Sequence, residues 1–129
     1  MLFNLLLSIM NLAIGMTTKN NRSIRDLIAV HYYKYVMMTK DGKIGRRFIF
    51  KYGKYSSDKN LKEYDLALVF KNADVAFKAL ALGGETGMTV AINNWDLKLV
   101  GNKDIFNFFA LMIGVSMGMI KRKSYLGKN

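Results

Sequence analysis

The sequence predicts an α+β domain, in which helices cover one face of a mostly antiparallel sheet. Residues 65–70 form a continuous apolar run of strand length. The tetrapeptide Lys40-Asp41-Gly42-Lys43 places Asp-Gly between two β-prone segments, which is typical of a hairpin. Residues 105–120 form an almost wholly apolar helix that must be covered on every side. About five strands with three or four helices indicate two layers around one core.

The composition predicts a single folded domain and excludes several kinds of site. A chain of 129 residues, half of them apolar, predicts one folded domain over residues 1–129 with a real core. The chain has no cysteine, so it can form neither a disulfide nor a thiolate metal site. Its single histidine, His31, excludes a histidine cluster. We therefore expect no metal and no cofactor.

The first 16 residues predict an apolar helix. They carry no charge, and Asn4, Ser8 and Asn11 form one narrow polar stripe. A signal peptide would have basic residues before the apolar run, and the first here is Lys19. The run is also shorter than the 20 or so residues of a membrane span. We expect a helix that packs on the domain or lies in a bilayer surface, followed by a polar break at residues 17–22.

A second helix is predicted from residue 23. Ser23-Ile24-Arg25-Asp26 resembles a capping box, and apolar residues recur at helical spacing up to His31. This pattern puts His31 on the apolar face, as a core or boundary residue. No nucleophile and orienting carboxylate can be assigned to it, so a catalytic role is not favoured.

The next segments predict three strands, at residues 32–38, 44–52 and 55–59. In the second, Phe48 and Phe50 fall on one face and Arg47 and Ile49 on the other. The third is rich in Ser and Lys, which discourages pairing at a free sheet edge.

For the last part of the chain we predict a strand, a helix, a short helical turn, a second strand and then one long apolar helix. After strand 65–70, Asn72 is the expected N-cap of a helix that Gly83-Gly84 ends. After strand 96–100, Asn102 and Asp104 start the long apolar helix.

Catalytic patterns are absent from the sequence. The glycines at 83, 84 and 87 lack the Lys-Ser/Thr ending of a phosphate loop. Asp58, Glu63 and Asp65 alternate with lysines, which predicts a solvated surface rather than an acid/base pair. We expect that the protein is not an enzyme.

Three blocks resemble the type 2 sterol carrier proteins, the SCP-2-like lipid transfer domains. They are Ala67-Leu68-Val69-Phe70, Ala76-Phe77-Lys78-Ala79-Leu80 running into Gly84, and Leu97-Lys98-Leu99-Val100-Gly101-Asn102. The resemblance covers residues 44–120. This chain has Trp95-Asp96 where the family usually has Gly-Lys, and Ile92-Asn93 where it often has Phe-Phe.

The resemblance implies a five-stranded sheet covered by helices, with an apolar tunnel between them and non-enzymatic lipid binding and transfer. Sterol, fatty acid, acyl-CoA and phospholipid are all compatible ligands. The residues expected to line the tunnel are Phe77, Leu80, Met88, Ile92, Leu97, Leu99, Phe106, Phe109, Met112 and Ile113.

The charge indicates an anionic partner. The net charge is +11, and a basic tail at residues 121–129 directly follows the apolar helix. Lys121, Arg122 and Lys123 are therefore expected to dock on anionic membranes, with the N-terminal helix nearby and inserted. This predicts a cytoplasmic protein, peripheral at the membrane surface, that is a monomer or homodimer.

Two alternative functions and the role of one row of small residues remain open. A basic nucleic-acid-binding module would account for the charge, although Arg46–Lys51 does not match the known RNA-binding pattern and we expect no nucleic-acid partner. A homodimer through the apolar helices would account for their composition. The small residues Ala110, Gly114 and Gly118 line one side of the last helix, where they leave room for a ligand or pack on a neighbour.

Overall fold

The computed structural model describes residues 2–82 and 87–117. Along the chain the elements are α1 (Leu2–Asn20), α2 (Arg22–Ile28), β1 (Tyr32–Thr39), β2 (Gly45–Lys51), β3 (Lys54–Asp58), β4 (Leu66–Phe70), α3 (Ala73–Phe77) continued by a π-helical turn (Lys78–Leu82), α4 (Gly87–Asn93), β5 (Leu97–Gly101), a 3-10 turn (Lys103–Ile105) and α5 (Phe106–Ser116).

The five strands form one sheet in the order β3-β2-β1-β4-β5. Three of its four pairings are antiparallel, as predicted, and β1 runs parallel to β4 with Val36 beside Ala67. The parallel pair arises because the chain leaves β3 at one edge and re-enters the sheet on the far side of β1.

The connection from β3 to β4 crosses the outer face of the sheet, which the helices leave open. If residue 45 carried a Cβ atom, that atom would lie 2.9 Å from Leu61 Cδ1. Gly45 therefore allows this segment to pack closely on β2. Arg47 fixes the crossing: its Nε donates to Asp58 Oδ1 at 2.8 Å and its Nη1 donates to the Glu63 carbonyl oxygen at 3.0 Å. The hydrogen bond from Arg47 is the main reason that the pKa of Asp58 lies below its usual range.

These contacts correct one sequence prediction. Asp58 and Asp65 are not merely solvated, because Asp65 Oδ2 accepts a hydrogen bond from the Lys34 backbone N–H at 2.8 Å. The two carboxylates tie neighbouring segments of the sheet together, and sequence spacing alone did not reveal those partners. They still form no acid/base pair with each other.

The helices cover the inner face of the sheet. The Phe3 ring of α1 meets the Phe70 ring of β4 edge-on, with centroids 5.7 Å apart. The Tyr35 ring of β1 stacks on Phe109 of α5 at 4.3 Å, and its hydroxyl donates to the Ile105 carbonyl oxygen at 2.8 Å. One aromatic residue therefore joins the centre of the sheet to the start of α5.

The first two helices differ from their predicted bounds. α1 continues to Asn20 instead of ending at a polar break, because the Thr18 hydroxyl is satisfied within the helix by the Gly15 carbonyl oxygen at 3.0 Å. Asn21, not Ser23, caps α2 and accepts from the Ile24 N–H at 3.1 Å. α2 ends at Ile28, so His31 does not lie on its apolar face.

The remaining caps agree with the sequence. Asn72 accepts from the Val75 N–H at 2.9 Å, and Asn102 accepts from the Asp104 N–H at 3.0 Å. The predicted helix stop at Gly83-Gly84 lies outside the described residues.

Candidate functional site

The candidate site is the apolar layer between the helices and the inner face of the sheet. All ten residues predicted to line a tunnel belong to one continuous apolar cluster or pack directly against it. Five of them are buried, namely Leu80, Leu97, Phe109, Met112 and Ile113. The other five are partly buried, namely Phe77, Met88, Ile92, Leu99 and Phe106. The structure thus brings the predicted residues together, and the tunnel itself stays a prediction.

α5 runs through this layer and is buried or partly buried at nearly every position, in the direction that its composition predicted. Within residues 105–117 the one exposed side chain belongs to Asn107. Phe109 and Met112 are fully buried, and Gly114 is buried with them. Ala110 is partly buried, while Gly118, the third small residue of the predicted stripe, lies outside the described residues.

An aromatic group forms one wall of the layer and was not predicted as part of the site. The Phe108 ring contacts Tyr33 and Phe50 edge-on, with centroids 5.3 and 5.7 Å away. The His31 ring stacks on Tyr33 at 4.9 Å and meets Phe108 at 5.3 Å. His31 is therefore a boundary residue held by aromatic contacts, and only the alternation of β1 could have indicated this wall from the sequence.

Two tyrosine hydroxyls that reach this layer are satisfied, whereas the buried Ser116 Oγ of α5 has no hydrogen-bond partner among the described residues. Burial raises the pKa of the Tyr35 phenol far above its ordinary value, so the group stays protonated and donates to the Ile105 carbonyl oxygen. Burial likewise raises the pKa of Tyr55, whose hydroxyl donates to Asn11 Oδ1 at 2.7 Å. Among residues 2–82 and 87–117, no three histidine or acidic side chains group together as metal ligands.

α1 contributes two apolar stripes with different surroundings. One stripe is buried and consists of Phe3, Leu6, Leu7, Met10 and Ile14. The second is exposed and consists of Leu2, Leu5, Ile9, Leu12 and Met16. With its added turn, α1 is long and apolar enough to cross a membrane by length and composition alone, which corrects the prediction that it falls short. About a third of this apolar segment is buried in the domain.

The predicted docking residues Lys121, Arg122 and Lys123 lie outside the described residues. The preceding helix reaches α1 near its end, where Val115 lines a surface groove with Met16 and Thr17. α5 therefore leads towards the carboxyl end of α1.

Comparison with known proteins identifies the fold. No family model and no curated protein matches the sequence. Among solved structures, "UbiJ-SCP2 Ubiquinone synthesis protein" superposes with a TM-score of 0.61 at 12% identity, over 84% of this chain and 90% of that chain. The sec-alkylsulfatase Pisa1 from Pseudomonas sp. matches with a TM-score of 0.52 at 16% identity, over 68% of this chain but only 14% of its own length.

These likenesses confirm the predicted architecture. The chain has an SCP2-like α+β fold with a five-stranded mixed sheet and helices on one face. At 12–16% identity the similarity extends to the fold alone.

Proposed function

We propose that the protein binds a lipid between its helices and its sheet and carries it between membranes. The observation that carries this proposal is the apolar layer between the helices and the sheet of an SCP2-like fold. All ten predicted lining residues belong to its cluster or pack against it. That layer offers a lipid chain apolar contacts on both sides, from α5 and from the sheet.

The energetics of such a site suit transfer. Each methylene removed from water gains about 0.8 kcal/mol, so a long acyl chain gains roughly 10 kcal/mol gross. A bilayer offers the chain nearly the same environment, which places exchange between protein and membrane close to balance. The protein would therefore release its lipid as readily as it takes it up.

The ligand is proposed by class. Sterol, fatty acid, acyl-CoA and phospholipid all fit an apolar site. The description of the structural neighbour as a ubiquinone synthesis protein adds an isoprenoid quinone or its precursor to the lipids to look for. The described residues provide no catalytic group facing this layer, and we propose a carrier rather than an enzyme.

Docking on anionic membranes completes the proposal. The tail residues Lys121, Arg122 and Lys123 supply charge, and the exposed stripe of α1 supplies apolar surface. An apolar segment combined with a basic patch is the two-signal arrangement that gives reversible membrane binding. Changing the three tail residues to serine should weaken binding to anionic vesicles by about 3 kcal/mol at most at low salt, and less as salt screens the charges.

The nucleic-acid alternative rests on the net charge of +11 and gains no support from the one segment that mixes basic and aromatic residues. The segment Arg46–Lys51 mixes basic and aromatic residues, but Phe48 and Phe50 are fully buried and cannot stack on bases. RNA or DNA affinity that falls steeply with salt, without any lipid binding, would favour that alternative over a carrier.

The test of the site uses Gly114, which is buried in α5. We expect Gly114→Leu to reduce binding of a fluorescent fatty acid while the melting temperature changes little, because the larger side chain occupies space that a lipid would use. Gly114→Ala is the matched control with a small added volume. Unchanged binding together with a stability loss of about 1–3 kcal/mol would show that Gly114 packs against protein instead.

A further inference from the structure

Trp95 is the only tryptophan of the chain, and 91% of it is exposed. It lies in the turn between α4 and β5 and has the greatest fractional exposure among the large apolar residues described. Large aromatic side chains normally gain stability by burial, so this position contributes little to the core.

The backbone at Trp95 is also unfavourable for its residue type. Its φ is +64°, in the left-handed region that bulky residues rarely adopt. The turn ends α4, with the Trp95 N–H donating to the Ile92 carbonyl oxygen at 3.1 Å and the Asp96 N–H to that of Ala91 at 2.8 Å. Glycine or asparagine usually occupies this place after a helix. Neither burial nor backbone preference therefore accounts for a tryptophan here.

The surroundings of Trp95 are basic and partly apolar. Trp95 borders a groove of about 470 Å³ at the end of the sheet, whose walls include Val69, Val100 and the lysines Lys40, Lys71 and Lys98. Asp96 is the one acidic residue in its lining. None of the three lysines forms an ion pair with the part of the chain that the structure describes.

The backbone holds these residues in one place. The Lys40 N–H donates to the Phe70 carbonyl oxygen at 2.8 Å, and the Lys71 N–H donates to the Asp96 carbonyl oxygen at 2.8 Å. Lys98 lies directly opposite Val69 across the β4–β5 pair. Backbone hydrogen bonds and strand pairing therefore place the three lysines and Trp95 at one end of the sheet.

We propose that Trp95, Lys40, Lys71 and Lys98 form a docking surface for an anionic lipid bilayer. Tryptophan is enriched at membrane–water interfaces, where its ring lies at the level of the headgroups. The lysines around it complement anionic headgroups, and the surface carries three positive charges against one negative. This inference rests on the proposed function, which gives the protein a reason to meet a membrane.

This surface and the last described residues of α5 lie near opposite ends of α1. Phe3 at the start of α1 packs on Phe70, beside the Trp95 groove, whereas Val115 lies beside Met16 near the other end of α1. From Phe3 to Met16 the helix rises about 20 Å. Substitutions at Trp95 and its lysines therefore leave the last described residues of α5 unchanged.

The fluorescence of the single tryptophan tests the proposal directly. With vesicles of phosphatidylcholine and phosphatidylglycerol at low salt, the emission should shift to shorter wavelength and become protected from acrylamide. Vesicles of phosphatidylcholine alone should produce little change. Co-sedimentation of the full chain with the same vesicles measures the binding itself.

Two variants separate docking from folding. Trp95→Gly should weaken co-sedimentation about tenfold or more without lowering the melting temperature, because glycine relieves the left-handed backbone. Trp95→Phe keeps that backbone and an aromatic ring, and should retain part of the binding. Changing Lys40, Lys71 and Lys98 together to glutamine should weaken binding by about 100-fold at most at low salt.

The outcomes are distinct. If the protein co-sediments with anionic vesicles while Trp95 emission stays that of an exposed indole, the docking surface lies elsewhere and this inference is overturned. Quenching of Trp95 by RNA, with no response to vesicles, would also overturn it. Failure of the carrier function would instead appear as a loss of fatty acid binding in the parent protein and would leave the vesicle result unaffected.

Discussion

α1 and α5 are both strongly apolar helices, yet the protein uses them differently. Between residues 105 and 117, α5 exposes only Asn107. α1 buries one apolar stripe and exposes a second, which includes Ile9 and Leu12. An apolar composition therefore indicates that a helix must be buried. It does not indicate whether the same domain buries it.

The largest expected difference between the helices comes from adding a charge. Met112→Lys in α5 should destabilise the protein by at least about 3 kcal/mol, because it buries an unpaired ammonium group in the apolar layer. Leu12→Lys on the exposed stripe of α1 should change stability by less than about 0.5 kcal/mol. Urea unfolding of the two variants measures both values. Equal losses would mean that the exposed stripe of α1 is covered in solution.

A second pair of variants compares the two stripes within α1. Leu7→Ala should cost about 2–5 kcal/mol because Leu7 is buried, whereas Leu5→Ala should cost a small fraction of that because Leu5 is mostly exposed. Both substitutions remove the same atoms from the same helix, so helix propensity cancels in the comparison. Thermal unfolding provides the measurement, and a large loss for Leu5→Ala would contradict the orientation of α1.

A smaller difference is expected for the tyrosines that hold each helix to the sheet. Tyr35→Phe should cost about 1–3 kcal/mol, since it leaves the buried Ile105 carbonyl oxygen without its donor. Tyr55→Phe should cost about 0.5–1 kcal/mol, because its partner Asn11 is only partly buried and water can replace the bond. If the two values are reversed, α1 rather than α5 is the more firmly attached helix.

The smallest effect is a pH dependence that neither helix can produce, because neither α1 nor α5 contains a carboxylate. The pKa of Asp58 is lowered, chiefly by its hydrogen bond from Arg47, so this contact stabilises the fold above the unfolded-state pKa of about 3.9. That stability is lost as the pH falls through the lower folded-state value. Asp58→Asn should therefore flatten the acid limb of a melting-temperature profile, while Asp104→Asn, at an exposed position, should leave it unchanged.

Local patterns in the sequence predicted the elements of the fold well. The strand at residues 66–70, the Asp41-Gly42 hairpin and the caps Asn72 and Asn102 are all determined by neighbours within a few residues. Interactions along the chain also explain the errors near residue 20, where the Thr18 hydroxyl bonds within α1 and Asn21 competes with Ser23 as the cap.

Long-range partners could not be predicted in the same way. Arg47 reaches Asp58 and Glu63 only because the chain crosses the outer face of the sheet. From the sequence, Trp95 could be recognised only as a departure from a family pattern. Its exposure depends on the position of the α4–β5 turn in the folded domain. For the candidate site, the family resemblance and apolar character selected residues of one common cluster. They could not show which of those residues pack together and which leave space.

Native mass spectrometry of the purified protein, combined with solvent extraction, tests the central claim most directly. The account predicts a mass increment above the bare chain that matches a lipid identified in the extract. Gentle activation should remove this increment, as expected for a ligand held by apolar contacts alone. A spectrum of bare protein only, with no binding of a fluorescent fatty acid at micromolar concentration, would contradict the proposal that the layer around α5 carries lipid.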